Sequence, residues 1–116
     1  MNRRLEAERA ALDGACEDSI GLYEVDWMLN SNMPDVDPIE RRQLARDAVK
    51  SLVLRGLVDV LRRGSDGVEL LVQPEHALST VSSEAAWRVP GHGREEILIY
   101  GTDAGLKLLL RSDRPH

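Results

Sequence analysis

Aromatic residues and cysteine are scarce in this chain. It has no phenylalanine, and two tryptophans and two tyrosines supply its aromatic rings. A hydrophobic core must therefore be built mainly from Leu, Val, Ile and Ala. Because so few aromatic residues are available, Trp27 and Trp87 are both predicted to lie in the core, and a surface anchor for binding is the second interpretation of Trp87. The single cysteine, Cys16, excludes an internal disulfide and is interpreted as a buried thiol in a reducing compartment.

Long hydrophobic runs are also missing. No apolar stretch approaches the roughly 18 residues that a membrane span needs, and the charged first residues contain no secretory hydrophobic region. The content of 42% hydrophobic and 30% charged residues is typical of a globular domain rather than a disordered chain. With 116 residues, the chain has the length of one domain with one core. We therefore expect a single cytoplasmic domain over residues 1–116.

Motifs for catalysis are not recognisable in the sequence. The three histidines, His76, His92 and His116, are widely spaced and match neither a metal-binding nor a catalytic-triad pattern. His92 lies between two glycines, which is more typical of an ordinary surface loop than of an active site. No glycine-rich phosphate-binding loop is present, and Cys16 has no basic helper nearby. We expect no catalytic residue, metal or cofactor, and we do not interpret the chain as an enzyme.

The net charge of −5 is distributed unevenly along the chain. Residues 1–40 carry 3 basic and 10 acidic side chains, residues 41–63 carry 7 basic and 2 acidic ones, and residues 64–116 carry 5 basic and 8 acidic ones. The acidic total argues against unspecific nucleic-acid binding. The short basic stretch still leaves a local contact with phosphate open.

Helical signals dominate the first half of the sequence. The clearest helix has Asp37 at its N-cap, Pro38 at its first position and Glu40 at its third, and Gly56 ends it. The helix before it, capped by Asp18, has one apolar stripe with Tyr23 and Trp27 and another with Leu22, Val25 and Leu29, which is typical of a helix central to the core. The predicted helices cover residues 3–13, roughly 19–30, and 38–55.

Strand and turn signals follow. A β-hairpin is predicted around the turn Gly64-Ser65-Asp66-Gly67, and Thr102 is positioned to cap a last short helix. Residues 73–87 begin with proline in the second position and carry apolar residues at helical spacing, whereas 89–94 are a loop by composition. The predicted elements are strands at 57–62 and 68–72, a helix at 73–87, a strand at 96–100 and a helix from 102 to 110.

Two segments resemble the winged helix-turn-helix superfamily. Residues 48–60, Ala-Val-Lys-Ser-Leu-Val-Leu-Arg-Gly-Leu-Val-Asp-Val, are similar to the end of the third helix and the first wing strand of bacterial winged-helix repressors. Residues 98–109, Leu-Ile-Tyr-Gly-Thr-Asp-Ala-Gly-Leu-Lys-Leu-Leu, resemble the exit from the wing. The resemblance implies an α+β, winged-helix-like fold: three N-terminal helices, a β-hairpin, an extra helix, a third strand and a short C-terminal helix.

The sequence departs from that family in two respects. The connection at residues 31–37 is longer than the turn of a regular helix-turn-helix. Residues 73–94 form an insertion where the family usually has a short wing. Both departures weigh against DNA binding more than against the fold, because winged-helix domains also serve as protein-binding modules.

A basic stripe on the third predicted helix supports one functional hypothesis. Residues four apart share a helix face, and in a DNA-binding winged helix this helix enters the major groove while the wing contacts the backbone. A solvated charged face is an equally good interpretation. The candidate nucleic-acid-binding residues are Arg42, Gln43, Arg46, Lys50, Arg62 and Arg63.

Acidic residues in the first third support the favoured hypothesis. Small acidic proteins without catalytic residues, such as immunity proteins and antitoxins, bind basic proteins, and charge speeds that association. Solubility alone is the simpler interpretation of the same residues. We therefore expect a non-catalytic, immunity- or antitoxin-like protein with a basic protein partner; a winged-helix transcriptional regulator is the alternative, and a homodimer is left open. The candidate protein-binding residues are Glu17, Asp18, Glu24, Asp26, Asp35 and Asp37, together with Glu40.

Overall fold

The computed structural model describes residues 2–91 and 94–113, which form an α+β fold. Over these residues the chain has five α-helices, four strands and one 3₁₀ turn. In chain order they are α1 (Arg3–Glu17), β1 (Ile20–Gly21), α2 (Leu22–Asn32), α3 (Pro38–Leu54), β2 (Val58–Arg63), β3 (Glu69–Leu71), α4 (Pro74–Ser82), the 3₁₀ turn (Glu84–Trp87), β4 (Glu96–Gly101) and α5 (Asp103–Asp113).

The four strands form one antiparallel sheet in the order β1-β4-β2-β3. Strands β2 and β4 pair along their whole length, from Val58 opposite Gly101 to Arg63 opposite Glu96. They are neighbours in the sheet although residues 64–95 separate them in the chain. That inserted segment carries β3, which lies at one edge of the sheet, and then α4 and the 3₁₀ turn.

The core is aliphatic, as the composition predicts. Its fully buried large side chains come from α2, α3, α4 and the two central strands, and full burial of each stabilises the fold by about 1.5–3 kcal/mol. Trp87 is also buried, and its indole N–H donates to the Val81 carbonyl at 2.8 Å. Trp27, in contrast, is 55% exposed, so its predicted place in the core is wrong. The largest fully buried side chains are Leu22, Leu29, Met33, Leu52, Leu98, Ile99, Val25, Val49, Val60 and Val81.

Helix α3 begins and ends as its sequence predicts. The Asp37 carboxylate accepts the Ile39 N–H at 2.9 Å, with Pro38 in the first turn. At the other end Gly56 adopts φ 69°, a left-handed conformation that side-chain-bearing residues disfavour. The Leu57 N–H then bonds to the Leu52 carbonyl at 3.0 Å, which is the C-terminal capping pattern that glycine permits.

Helix α2 begins later than predicted. Ile20 and Gly21 pair with β4 as a short strand, so the helix starts at Leu22 rather than at Ser19. Glu24 accepts the Gly21 N–H at 3.0 Å, and the expected cap, Asp18, accepts the Ser19 N–H instead. The β-strand pairing of two residues with β4 involves a distant part of the chain, which local helix signals do not report.

The predicted helix at 73–87 is divided in two. Helix α4 ends at Ser82, and residues 84–87 form the 3₁₀ turn. Within α4 the hydroxyls of Ser79 and Thr80 donate to the His76 carbonyl, and Ser82 donates to Leu78. Hydroxyls that bond to backbone carbonyls weaken a helix, which fits this early end.

The C-terminal helix is fixed to the end of α3 through Thr102. Its hydroxyl accepts the Gly105 N–H at 3.1 Å, as expected for a cap, and donates to the Gly56 carbonyl at 2.8 Å. Helix α5 therefore begins where α3 ends and packs against α1. None of the helices in the described part of the chain is long and apolar enough to cross a membrane.

We predict that Gly105→Ala lowers the free energy of unfolding by roughly 1–3 kcal/mol, because overpacking outweighs the better helix propensity of alanine. A Cβ atom at Gly105 would lie 2.2 Å from the Leu57 carbonyl oxygen. Urea denaturation measures the change. Gly91→Ala is the matched control, since its Cβ would meet nothing closer than 3.7 Å; equal stability of both variants would contradict this packing.

Candidate functional site

Arg46 of α3 joins three elements by charge. Its guanidinium donates twice to the Glu84 carboxylate, at 3.0 and 3.1 Å, and lies 3.5 Å from Asp26 of α2. It also lies 4.6 Å from the centre of the Trp87 ring, within cation–π range. The side chain is 11% exposed. The hydrogen bonds of Arg46 are therefore made to Glu84 of the inserted segment and to the Arg42 carbonyl of its own helix, and its contact with α2 is an ion pair.

The two carboxylates around Arg46 differ in their surroundings. Burial raises the pKa of Asp26 above its ordinary value, and the positive charges of Arg46 and Arg42 oppose that rise in part. Glu84 is exposed, and the hydrogen bond from Arg46 lowers its pKa. Asp26 Oδ1 is buried without a hydrogen bond within the described residues. The favourable partner of Arg46 is thus Glu84, whereas Asp26 is held near it at a desolvation cost.

The outward face of α3 has no net positive charge. Arg46 is withdrawn, and the charged residues that remain on this face are Glu40, Arg42, Asp47 and Lys50, two acidic and two basic. The Gln43 side chain donates to Asp47 at 2.9 Å. A groove-binding helix concentrates cations toward phosphate. The stripe predicted from the sequence is therefore broken at its centre.

The two arginines of the hairpin also have acidic partners. Arg62 pairs with Glu95, and Arg63 bonds to Glu69 and Glu96, each at 3.2 Å. These contacts join the inserted segment and β4 to β2. Pairing of this kind lowers the positive potential that the hairpin presents to an outside phosphate.

The acidic residues predicted to bind a protein do not form one surface. Glu24 and Asp37 cap helices, Asp26 lies beside Arg46, and Asp35 bonds to Arg3 at 2.6 Å. Glu17 and Asp18 lie exposed at the end of α1. Arg3 begins α1 and Glu17 ends it, so about 21 Å separates the Asp35 contact from that exposed pair.

An exposed aromatic surface lies beside the Arg46 cluster. Tyr23 and Trp27, one turn apart on α2, meet edge to face with ring centres 5.0 Å apart. The Trp27 indole borders a concavity of about 240 Å³ between α2 and the start of α3. We call this the Trp27 surface, and define it by Tyr23, Trp27, Asn30, Pro38, Arg41 and Arg42.

Arg41 fixes the base of the Trp27 surface. Its guanidinium donates to the Met33 carbonyl at 3.1 Å, which holds the end of α2 against α3. Its Nε atom is buried and makes no hydrogen bond within the described residues. Arg41 thus connects the end of α2 to α3 at the concavity that Trp27 borders.

The signal for this surface was present in the sequence as the second apolar stripe of α2. One stripe, Leu22, Val25 and Leu29, is fully buried in the core. The other carries half-buried Tyr23 and exposed Trp27. The two stripes predicted a helix central to the core, whereas Trp27 on the second stripe is 55% exposed. Periodicity does not tell which of two stripes faces the core.

The residues considered for catalysis are not drawn together. Burial, followed by the nearby charge of Asp13, raises the pKa of the Cys16 thiol, which disfavours the reactive thiolate. His76 is exposed on α4, and His92 and His116 lie outside the described residues. Within residues 2–91 and 94–113, no three His, Cys, Asp or Glu side chains are grouped so as to hold a metal ion.

Comparison of the chain with protein-family models, curated proteins and solved structures gave no match. Its function is therefore argued from the placement of its own side chains.

We predict that Arg46→Ala lowers the free energy of unfolding by roughly 2–4 kcal/mol, because it takes the ion-pair partner from half-buried Asp26 and removes packing on Trp87. Chemical denaturation measures the loss. Arg42→Ala, on the exposed side of the same helix, should change stability by no more than about 0.5 kcal/mol. Similar losses in both variants would show that Arg46 is not the joint between the three elements.

We predict a pH signature at Asp26. Its raised pKa means that the folded chain binds a proton there at a higher pH than the unfolded chain, whose ordinary value is 3.8. The resulting stabilisation is fully present below that value and is lost as pH rises through the raised pKa. The unfolding free energy of wild type, relative to Asp26→Asn, should therefore increase as pH falls from neutral toward about 4. A pH-independent difference in paired denaturation curves would refute the assignment.

Proposed function

We propose that this chain is a non-catalytic protein-binding module whose partner docks on the Trp27 surface. The observation that carries the proposal is Trp27 itself, 55% exposed and stacked edge to face on Tyr23. Tryptophan, tyrosine and arginine are the residues most enriched where protein interfaces concentrate their binding energy. In the Trp27 surface, Trp27 and two arginines line one concavity, and Tyr23 contacts the Trp27 ring.

The side chains of the Trp27 surface are held in place by contacts within the chain. An interface side chain that is already fixed loses little conformational freedom on binding, so more of its contact energy contributes to affinity. Tyr23 restrains the indole from one side, and Arg41, bonded to the Met33 carbonyl, fixes the floor beside it. The partner we propose presents an apolar pocket for the indole and a hydrogen-bond acceptor for exposed Arg42.

Electrostatics favours a basic partner overall. The net charge of −5 attracts a basic protein over long range, and this steering does not require one contiguous acidic patch. Glu17 and Asp18 contribute to it although they lie at the far end of α1. We therefore propose an immunity- or antitoxin-like role. In this role the negative charge speeds association with the partner, and Trp27 supplies most of the affinity.

The arrangement of elements supports a winged-helix-like architecture for this module. Three helices precede β2 and β4, which pair directly with each other, and β4 also pairs with β1. Residues 73–94, the insertion predicted relative to the family, lie between the β2–β3 hairpin and β4. In this proposal the insertion covers one side of α3, because Glu84 and Trp87 contact Arg46.

DNA binding is the weaker proposal for the same reason. The third helix of a DNA-binding winged helix needs a free basic face, and here the central arginine is occupied by an internal partner. Arg42 and Lys50 remain as outward cations on α3. A regulator built on this surface would depend on those two side chains.

We predict that Trp27→Ala abolishes capture of the partner by the immobilised chain, with an affinity loss of about 30-fold or more once the partner is purified. Wild type and Trp27→Ala serve as paired baits for lysate, followed by calorimetry. Tyr100→Ala is the matched control, because Tyr100 is also an exposed aromatic residue but lies on β4. A protein held by wild type and Tyr100→Ala but lost by Trp27→Ala supports the proposal.

Two results would contradict the proposal. Equal capture by wild type and Trp27→Ala would remove the Trp27 surface from the interface. Fluorescence anisotropy with a random-sequence duplex, read at low and moderate salt, tests the DNA alternative in parallel. Salt-sensitive binding that is lost in Arg42→Ala and Lys50→Ala would replace the protein-binding proposal with the regulator.

A further inference from the structure

Strand β3 is an open, apolar edge of the sheet. Val68, Leu70 and Leu71 are each more than half exposed, with Leu70 at 63%. The one charged residue among positions 68–72 is Glu69, and Arg63 already pairs with it. Exposed edge strands usually carry lysine, proline or a bulge that blocks further pairing. Residues 68–72 contain neither lysine nor proline.

The hydrogen-bond pattern shows which backbone groups face outward. Val72 N–H donates to the Val60 carbonyl, and the Val68 carbonyl accepts from Gly64 N–H. In an antiparallel pair, residues that bond to the neighbouring strand alternate with residues that point away from it. Positions 68, 70 and 72 therefore bond toward β2. The N–H and C=O groups of Glu69 and Leu71 point to the open edge.

We propose that two copies of this chain pair antiparallel through β3, which joins their sheets into one. A two-fold axis at Leu70 places Glu69 of one copy opposite Leu71 of the other. By symmetry Leu71 of the first copy lies opposite Glu69 of the second. Each of these two residue pairs exchanges two backbone hydrogen bonds, four in all, and Leu70 faces Leu70 of the second copy across the axis. This self-pairing uses every outward backbone group of β3.

Charge and the ends of the strand disfavour the neighbouring registers. A shift in one direction sets Glu69 directly opposite Glu69 of the second copy, and like charges at such positions are destabilising. The same shift requires Gly67, which lies in the turn at φ 83°. A shift in the other direction requires Gln73, the residue that precedes α4. The register centred on Leu70 keeps pairing inside the strand and sets each Glu69 opposite an apolar residue.

The inference is independent of the Trp27 surface, which lies on α2 and the start of α3. Self-association through β3 and partner binding through Trp27 use different elements of the chain. Trp27→Ala is accordingly expected to leave the mass of the self-associated species unchanged. Failure of one proposal leaves the other standing.

We predict that the full chain sediments as a dimer at high micromolar concentration and that Leu70→Lys weakens this association by about tenfold or more, because two lysines face each other across the axis. Leu54→Lys, the same change at an exposed leucine on α3, is the control and should remain dimeric. Mixing Leu70→Lys with Leu70→Glu should restore a heterodimer, since position 70 meets position 70. A chain that stays monomeric at every concentration would overturn the proposal, as would a failure of the mixture to associate.

Hydrogen exchange supplies a second readout that does not depend on a variant. The amides of Leu70 and Val72 should be protected at all concentrations because they bond within the chain. Those of Glu69 and Leu71 should gain protection as concentration rises. Dimer formation without that gain would place the interface elsewhere and refute pairing through β3.

Discussion

Arg46 sits where α2, α3 and the inserted segment meet, and its contacts decide how the rest of the surface is used. It bonds to Glu84, lies over Trp87 and neutralises part of the charge of half-buried Asp26. One side chain thereby docks the inserted segment against α3. Because a guanidinium so enclosed is costly to leave unpaired, the insertion and the helix pair behave as one unit.

That docking also determines which faces remain available to other molecules. Helix α3 loses the centre of its basic stripe, and its outward charges balance. Trp27 of α2 stays 55% exposed, whereas Tyr23 beside it is half-buried. Trp27 and the open edge of β3 are therefore two separate exposed apolar features.

Local signals predicted most of the elements. Asp37, Pro38 and Gly56 specified both ends of α3, and Thr102 specified the start of α5 through short-range hydrogen bonds. The division of residues 73–87 and the short strand β1 were missed. Strand β1 depends on a partner distant in the chain, because Ile20 pairs with Ile99. In the divided segment Trp87 bonds to the nearby Val81 carbonyl, and its long-range contact is with Arg46 of α3.

The sequence by itself determined an aliphatic α+β domain, because hydrophobic period, caps and turn residues act within a few positions of the chain. Only the tertiary structure decided whether the polar and aromatic residues predicted to bind a partner are exposed or paired within the chain. Arg46 became an internal joint, Asp35 an ion-pair partner of Arg3 and Trp27 a surface residue. A side chain's charge or apolar character is written in the sequence, but its exposure depends on which distant element packs against it.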